Sequence, residues 1–210
     1  QTNASPDLDA ELASLVHRFG EVLGSRPEVL KCFAEQGIQV EGWLKGEILA
    51  FLTTERHAVR IVNFDREVLV GDGRRKADLT VDIADIQNAA NPRRLWIELK
   101  HYLIGWQKGI PYNAFGYFND PAGGIKPDIE KLLAMPSPHR YVLVLMTASP
   151  AVADWDAAIA RFNQKFQPCL RALTDPRDFP PDFFLGLISV TAPPCPPTSA
   201  ETITGVVVNG

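Results

Sequence analysis

Tyr141 to Met146 is an unbroken apolar run of Tyr, Val, Leu, Val, Leu and Met. Alternate side chains of a strand point to opposite faces, so this run has no polar face to offer to water. It belongs to a strand buried on both sides, inside a sheet covered above and below. The rest of the chain reads around that requirement. Apolar residues at helical spacing predict a helix over 7–23, a short second one over 27–35 stopped by Gly37, and a third over 42–54. The third carries Leu44, Ile48, Phe51 and Leu52 on one face. Strand-like runs occupy 58–62, 67–70, 78–83 and 95–100, with Gly71-Asp72-Gly73 as a turn. Pro127 opens a helix, Ser149-Pro150 caps another that runs to Phe166, and 183–190 is a late strand. The segment 192–198 holds four prolines and is irregular; Val206-Val207-Val208 is a short strand candidate.

The run Leu95 to Lys100 is apolar except at Glu98 and Lys100, which share one face of the strand. A carboxylate and an ammonium are costly on a strand this apolar unless they have partners. Residues 84–92, with an Asp, a Gln, Asn residues and a Pro, form a loop. If that loop joins antiparallel strands symmetrically about Asn88, Asp78 faces Glu98 and Asp82 faces Arg94. Directly opposed residues have Cβ atoms roughly 4.5–5.5 Å apart. Two carboxylates that close repel unless a cation lies between them. Asp82 and Arg94 form a simple salt bridge in the same register, so Asp82 is structural. An acid, then an acid and a lysine two apart on a strand, suits a divalent metal beside a phosphate.

The 210 residues, 46% apolar and 22% charged, describe an ordinary globular chain with a sizeable core. No apolar stretch reaches membrane-spanning length, there is no signal-peptide pattern, and a cytoplasmic setting is expected. A net charge of −4 excludes a broadly basic nucleic-acid coat, while Arg74-Arg75-Lys76 and Arg93-Arg94 are either local basic patches or solvated loop charges. Cys32, Cys169 and Cys195 form no metal spacing; Cys32 and Cys169 are read as buried small hydrophobes, and the odd count favours a reducing compartment. The four histidines do not cluster, and His101, facing away from Lys100, packs or caps rather than catalyses. No phosphate-binding Gly-rich loop or GxSxG elbow is present. The stretch 101–125 interleaves Tyr102, Trp106, Tyr112, Phe115, Tyr117 and Phe118 with Lys108, Asn113 and Lys126. Those aromatics either anchor a long loop or stack on unpaired bases.

The order helix, three strands, helix, strand, with Asp78 on the second strand and Glu98-Leu99-Lys100 on the third, resembles the PD-(D/E)xK nuclease superfamily over residues 41–146. The proline before the family's aspartate is Ala77 here. The resemblance implies an α/β, restriction-endonuclease-like αβββαβ core: a mixed sheet flanked by helices over 41–190, with an N-terminal helical extension over 1–40 packed on that core and a Pro-rich segment over 191–210. It implies a Mg²⁺- or Mn²⁺-dependent endonuclease-like hydrolase acting on nucleic acid, DNA ahead of RNA, with oligomeric state open and a homodimer one option. Asp78, Glu98 and the Leu99 carbonyl would hold the metal. Lys100 would orient water or stabilise phosphate charge, and Glu47 would hold a metal-bound water or a second ion. Glu41 competes with Glu47 for that role, although an acid at a helix start is favoured by the dipole in any case. Two alternatives stay open: a non-catalytic binding module on the same fold, and Glu98 and Lys100 as the wet face of an edge strand with Asp78 a turn residue.

Overall fold

The computed structural model describes residues 6–38, 40–56, 61–70, 75–84, 91–103, 114–120, 123–166 and 169–192. The chain is an α/β protein built on one six-stranded mixed sheet flanked by helices. Three helices come first: α1 (Pro6–Gly24), α2 (Pro27–Gln36) and α3 (Glu41–Glu55). Gly37 ends α2 in the left-handed region at φ 64°, with its own N–H and that of Ile38 donating to carbonyls of the last turn. Strands β1 (Ile61–Val70), β2 (Arg75–Ile83) and β3 (Arg93–Leu103) form an antiparallel meander. Helices α4 (Ala114–Phe118) and α5 (Lys126–Leu133) carry the chain across to β4 (Arg140–Thr147), which lies parallel to β3. Helix α6 (Val152–Phe166) precedes β5 (Cys169–Ala172) and β6 (Phe184–Thr191), and the strand order is β1-β2-β3-β4-β6-β5.

β4 is covered on both sides, as its apolar run requires. Tyr141, Leu143 and Leu145 join a core with α1, α2 and α3, while Val142, Val144 and Met146 join a second core with α4, α5 and α6. The same alternation runs along β3, where Leu95, Ile97 and Leu99 face the first core and Trp96 and Tyr102 the second. Glu98 and Lys100 share the parity of Trp96 and Tyr102 and point to the α5 side. Gly186 on β6 has no room for a side chain, since a Cβ there would lie 2.6 Å from the Trp155 ring.

Several expectations need adjustment. Residues 61–70 form one strand, where two short runs were read. β5 and the five-residue α4 went unread, being too short for a period to show. Helix α6 begins at Val152, so Ser149-Pro150 precedes it and caps nothing; the N–H groups of Asp154 and Trp155 donate to the Ala151 carbonyl instead. Helix α1 packs on the sheet, with Leu12, Phe19 and Leu23 buried in the same core as β3 and β4. Cys32 is exposed and free and Cys169 is disulfide-bonded, so neither is a buried apolar filler; a disulfide also removes the case for a reducing compartment built on the cysteine count. In the aromatic stretch, Phe118 packs edge-on against Trp155, Tyr102 lies against Tyr117, and Arg161 lies over the Phe115 ring. These rings anchor the segment. Trp106, Lys108, Tyr112 and Asn113 lie outside the described residues, as do Arg74, the 71–73 turn, Cys195 and the Val206–Val208 strand candidate. No described helix is long and apolar enough to cross a membrane.

Candidate functional site

β2 and β3 bring two acids together from neighbouring strands. Their pairing runs from Leu79 opposite Ile97 to Ile83 opposite Arg93, the register expected from loop symmetry. Arg94 holds both carboxylate oxygens of Asp82, at 2.7 and 2.8 Å, so this pair is the structural brace it was read as. The ladder is interrupted at Asp78. On the β1 side, pairing passes from Arg66–Leu79 to Val68–Ala77 and skips Glu67 and Asp78. On the β3 side, Asp78 Oδ2 accepts the Leu99 backbone N–H at 3.0 Å. The carboxylate thus takes a bond that strand pairing would otherwise make. Asp78 Oδ1 accepts from Lys45 of α3 at 2.9 Å, and Lys45 also donates to Glu67 at 2.5 Å. Glu67 has a φ of 55°, the left-handed region a non-glycine residue seldom enters.

Glu98 is 1% exposed on a strand paired on both sides, so it is not the wet face of an edge. One oxygen, Oε2, accepts from Lys131 of α5. The other, Oε1, is buried and has no hydrogen-bond partner. Lys100 lies beside them, with Nζ 3.1 Å from Asp128 Oδ2 on α5 and 3.8 Å from Glu41 Oε1 on α3. Asp78, Glu98 and Lys100 therefore converge. Leu99 adds its backbone there while its side chain is buried in the first core.

Glu47 does not join them. It pairs with Arg26 at 2.7 Å. Glu41 and Lys45, one turn apart, lie along one flank of the apolar stripe of α3, and Glu47 lies along the other. Glu41 is the α3 acid that reaches the site. The sequence reading does not include Lys45, Asp128 and Lys131 in the site. For the last two a signal existed: they stand three apart, on one helical face, in the crossover between the site strand and the buried strand.

Electrostatics follow from this geometry. Burial pushes the Glu98 carboxyl up to about 8; Lys131 opposes this, and the negative charges of Asp78 and Asp128 add to it. Burial also pushes Asp78 upward, but Lys45 and the Leu99 N–H outweigh it and hold this carboxyl below its ordinary value. Burial lowers Lys100, yet Asp128 and Glu41 prevail and keep its ammonium protonated beyond the usual range. His101 is 1% exposed, accepts the Val40 N–H on Nδ1 at 3.2 Å, and meets Thr147 Oγ1 through Nε2 at 3.2 Å. Burial drives its pKa down to about 4. It fastens β3 to the start of α3, in keeping with a packing role.

Oxygen donors such as Asp78 and Glu98 suit Mg²⁺ or Mn²⁺, but the Glu98 carboxyl is held protonated up to about 8, so a metal would have to displace its proton. Among the described residues, no group of three or more His, Cys, Asp or Glu side chains is placed so that it could hold a metal ion. Comparison with family models, curated proteins and solved structures finds no match to this chain.

Proposed function

We propose that this protein is a divalent-metal-dependent nuclease that hydrolyses phosphodiester bonds of nucleic acid, with DNA ahead of RNA. The observation that carries the reading is the closeness of Asp78 and Glu98, from adjacent strands, with the Lys100 ammonium beside them. The architecture adds support. A helix, an antiparallel meander, a crossover helix and a parallel fourth strand follow one another as in a restriction-endonuclease-like core. Arg75 and Lys76 are exposed at the start of β2, just before Asp78, where a nucleic-acid backbone would approach.

Asp78 and Glu98 would hold the metal. When bound, Mg²⁺ or Mn²⁺ supplies Lewis-acid polarisation of the phosphodiester and acidifies a coordinated water. Lys100 places a fixed positive charge where a phosphate oxygen gains negative charge. Asp128 and Glu41 hold Lys100 protonated and aimed. Asp82 with Arg94 braces the β2–β3 pairing that runs up to Leu79 and Ile97, next to the two acids.

The test is cleavage of supercoiled plasmid and of a single-stranded oligonucleotide, with Mg²⁺ or Mn²⁺ and with chelator. Cleavage is expected only with metal, and not by Asp78→Ala or Lys100→Ala. Undiminished cleavage by Lys100→Ala would remove the proposed chemistry. A second reading is favoured by one observation: Asp78 and Glu98 each already hold a lysine, Lys45 and Lys131. A self-neutralised site of this kind suits a non-catalytic nucleic-acid-binding or protein-interaction module. Binding of DNA without metal and without cleavage would select it.

A further inference from the structure

Charge is divided unevenly between the two helical layers. Helices α1, α2 and α3, on the first core, carry nine acids against three lysines and arginines; α4, α5 and α6, on the second core, carry four against four. A polyanion is repelled by the first layer and meets no such barrier at the second. Within the second layer the cations are gathered rather than spread. Arg161 and Lys165 are both exposed and stand one turn apart on α6, about 6 Å along its axis. The Arg161 guanidinium lies 4.1 Å from the centre of the Phe115 ring of α4, and Lys165 donates to Asn119, just beyond α4, at 2.8 Å. Lys126, at the start of α5, lies 5.2 Å from the centre of the Phe166 ring, and Lys165 reaches the same ring at 5.0 Å. Two like charges drawn to one ring repel each other, and a bound anion relieves that repulsion. Among the described residues, Glu130 offers Lys126 a carboxylate at 3.6 Å, while Arg161 and Lys165 have no carboxylate partner.

The rings do not compete for a ligand. Phe115 and Phe166 are half-buried against the second core, so they hold the cations in place rather than offer platforms for bases. Cations fixed in this way suit phosphate oxygens and read no base edges. Helix α5 links the patch to the acid–lysine site. It begins at Lys126 in the patch, and its Asp128 and Lys131 meet Lys100 and Glu98. Residues 126 to 131 span about 7.5 Å of helix.

We propose that Lys126, Arg161 and Lys165 form a sequence-independent binding surface for the phosphate backbone of nucleic acid, beside the acid–lysine site and on the same side of the sheet. The inference rests on the nucleic-acid reading of the protein, holds whether or not the site cleaves, and needs no metal.

The experiment measures binding of the full chain to fluorescently labelled DNA, duplex and single-stranded, by anisotropy with chelator present and across a series of salt concentrations. The joint variant Lys126→Gln, Arg161→Gln, Lys165→Gln is expected to bind about tenfold or more weakly at low salt. Its slope of log K against log salt is expected to fall by about 2 to 3, close to one per lost phosphate contact. Lys31→Gln removes a lysine that is 66% exposed on α2, in the acidic layer, and is expected to leave binding at the wild-type level. Glu130→Gln releases Lys126 from its acid and is expected to tighten binding by about two- to fivefold, the scale of one exposed ion pair and a gain that misfolding cannot imitate. Wild-type affinity and slope in the folded joint variant overturn the surface while leaving nucleic-acid binding standing, as does an equal loss in Lys31→Gln. Should the joint variant not fold, Glu130→Gln decides, and unchanged or weaker binding overturns the surface. No DNA binding by the folded wild type removes the surface and the nucleic-acid reading together. Preference for labelled polyglutamate over DNA of equal charge assigns the face to an acidic protein and overturns the proposal.

Discussion

Lys100 and Glu98 stand two residues apart and do different work. Replacing Lys100 with Ala removes a positioned positive charge and is expected to slow cleavage by about 100-fold or more, with the fold intact by circular dichroism. Glu98 makes stability depend on pH. Its carboxyl titrates near 8 in the folded chain, against an ordinary value of 4.5, so between those limits the folded state holds the extra proton. Stability then falls as pH rises through that window. His101 acts in the opposite sense. Its folded value near 4 lies below the ordinary 6.5, so the unfolded state binds the proton there and stability rises with pH. The two contributions oppose each other below about 6.5, and the Glu98 loss emerges alone from there to about 8. Urea midpoints across pH are expected to decline over that upper interval in wild type and to stay level in Glu98→Gln. A decline of equal size in Glu98→Gln would place its origin elsewhere. The nearness of Asp78 to Glu98 was legible because a symmetric loop fixes an antiparallel register, which pairs the adjacent Leu79 with Ile97. Lys45, which pairs with Asp78, was not, because its contact joins a helix to a strand far away in sequence, where no periodicity reaches.

Helix α3 shows where an element's pattern gives its phase but not its neighbours. The stripe of Leu44, Ile48, Phe51 and Leu52 set the inward face correctly, and all four are buried. Glu41 and Glu47 both border that stripe, and the choice between them depends on which flank meets β3. That is decided by where α2 delivers the chain and by the His101 ring accepting the Val40 N–H at the helix start. Replacing His101 with Ala leaves this buried N–H without its acceptor, at a cost of about 1–3 kcal/mol. It also frees the helix end that carries Glu41 and Lys45. Reduced urea stability together with reduced cleavage is the expected result. Wild-type values for both would show that the helix start is held by packing alone. Glu41→Ala is expected to lower cleavage more than Glu47→Ala, since only Glu41 approaches Lys100. Rate measurements on the two variants decide it.

At the scale of the molecule, one sheet serves two cores, as the apolar run of β4 requires. Apolar periodicity over residues 1–40 marks helices that pack on the core without saying which strands they cover. Here α1 covers β3, β4 and β6, and its buried Asp9 accepts from the Tyr141 hydroxyl at 3.1 Å and from Arg171. A chain lacking residues 1–26 is expected to lose cooperative urea unfolding and to aggregate, rather than to act as a deregulated core. A sharp two-state transition in the truncated chain would contradict this. The sheet's seam between β2 and β3 is fastened by strand pairing at the Ile83 end and by a carboxylate at the other. One amide proton, that of Leu99, consequently works as a gauge of the whole clasp. Its hydrogen–deuterium exchange should quicken in Asp78→Ala and hold in Asp78→Asn, reporting on the grip of that acid with no substrate present.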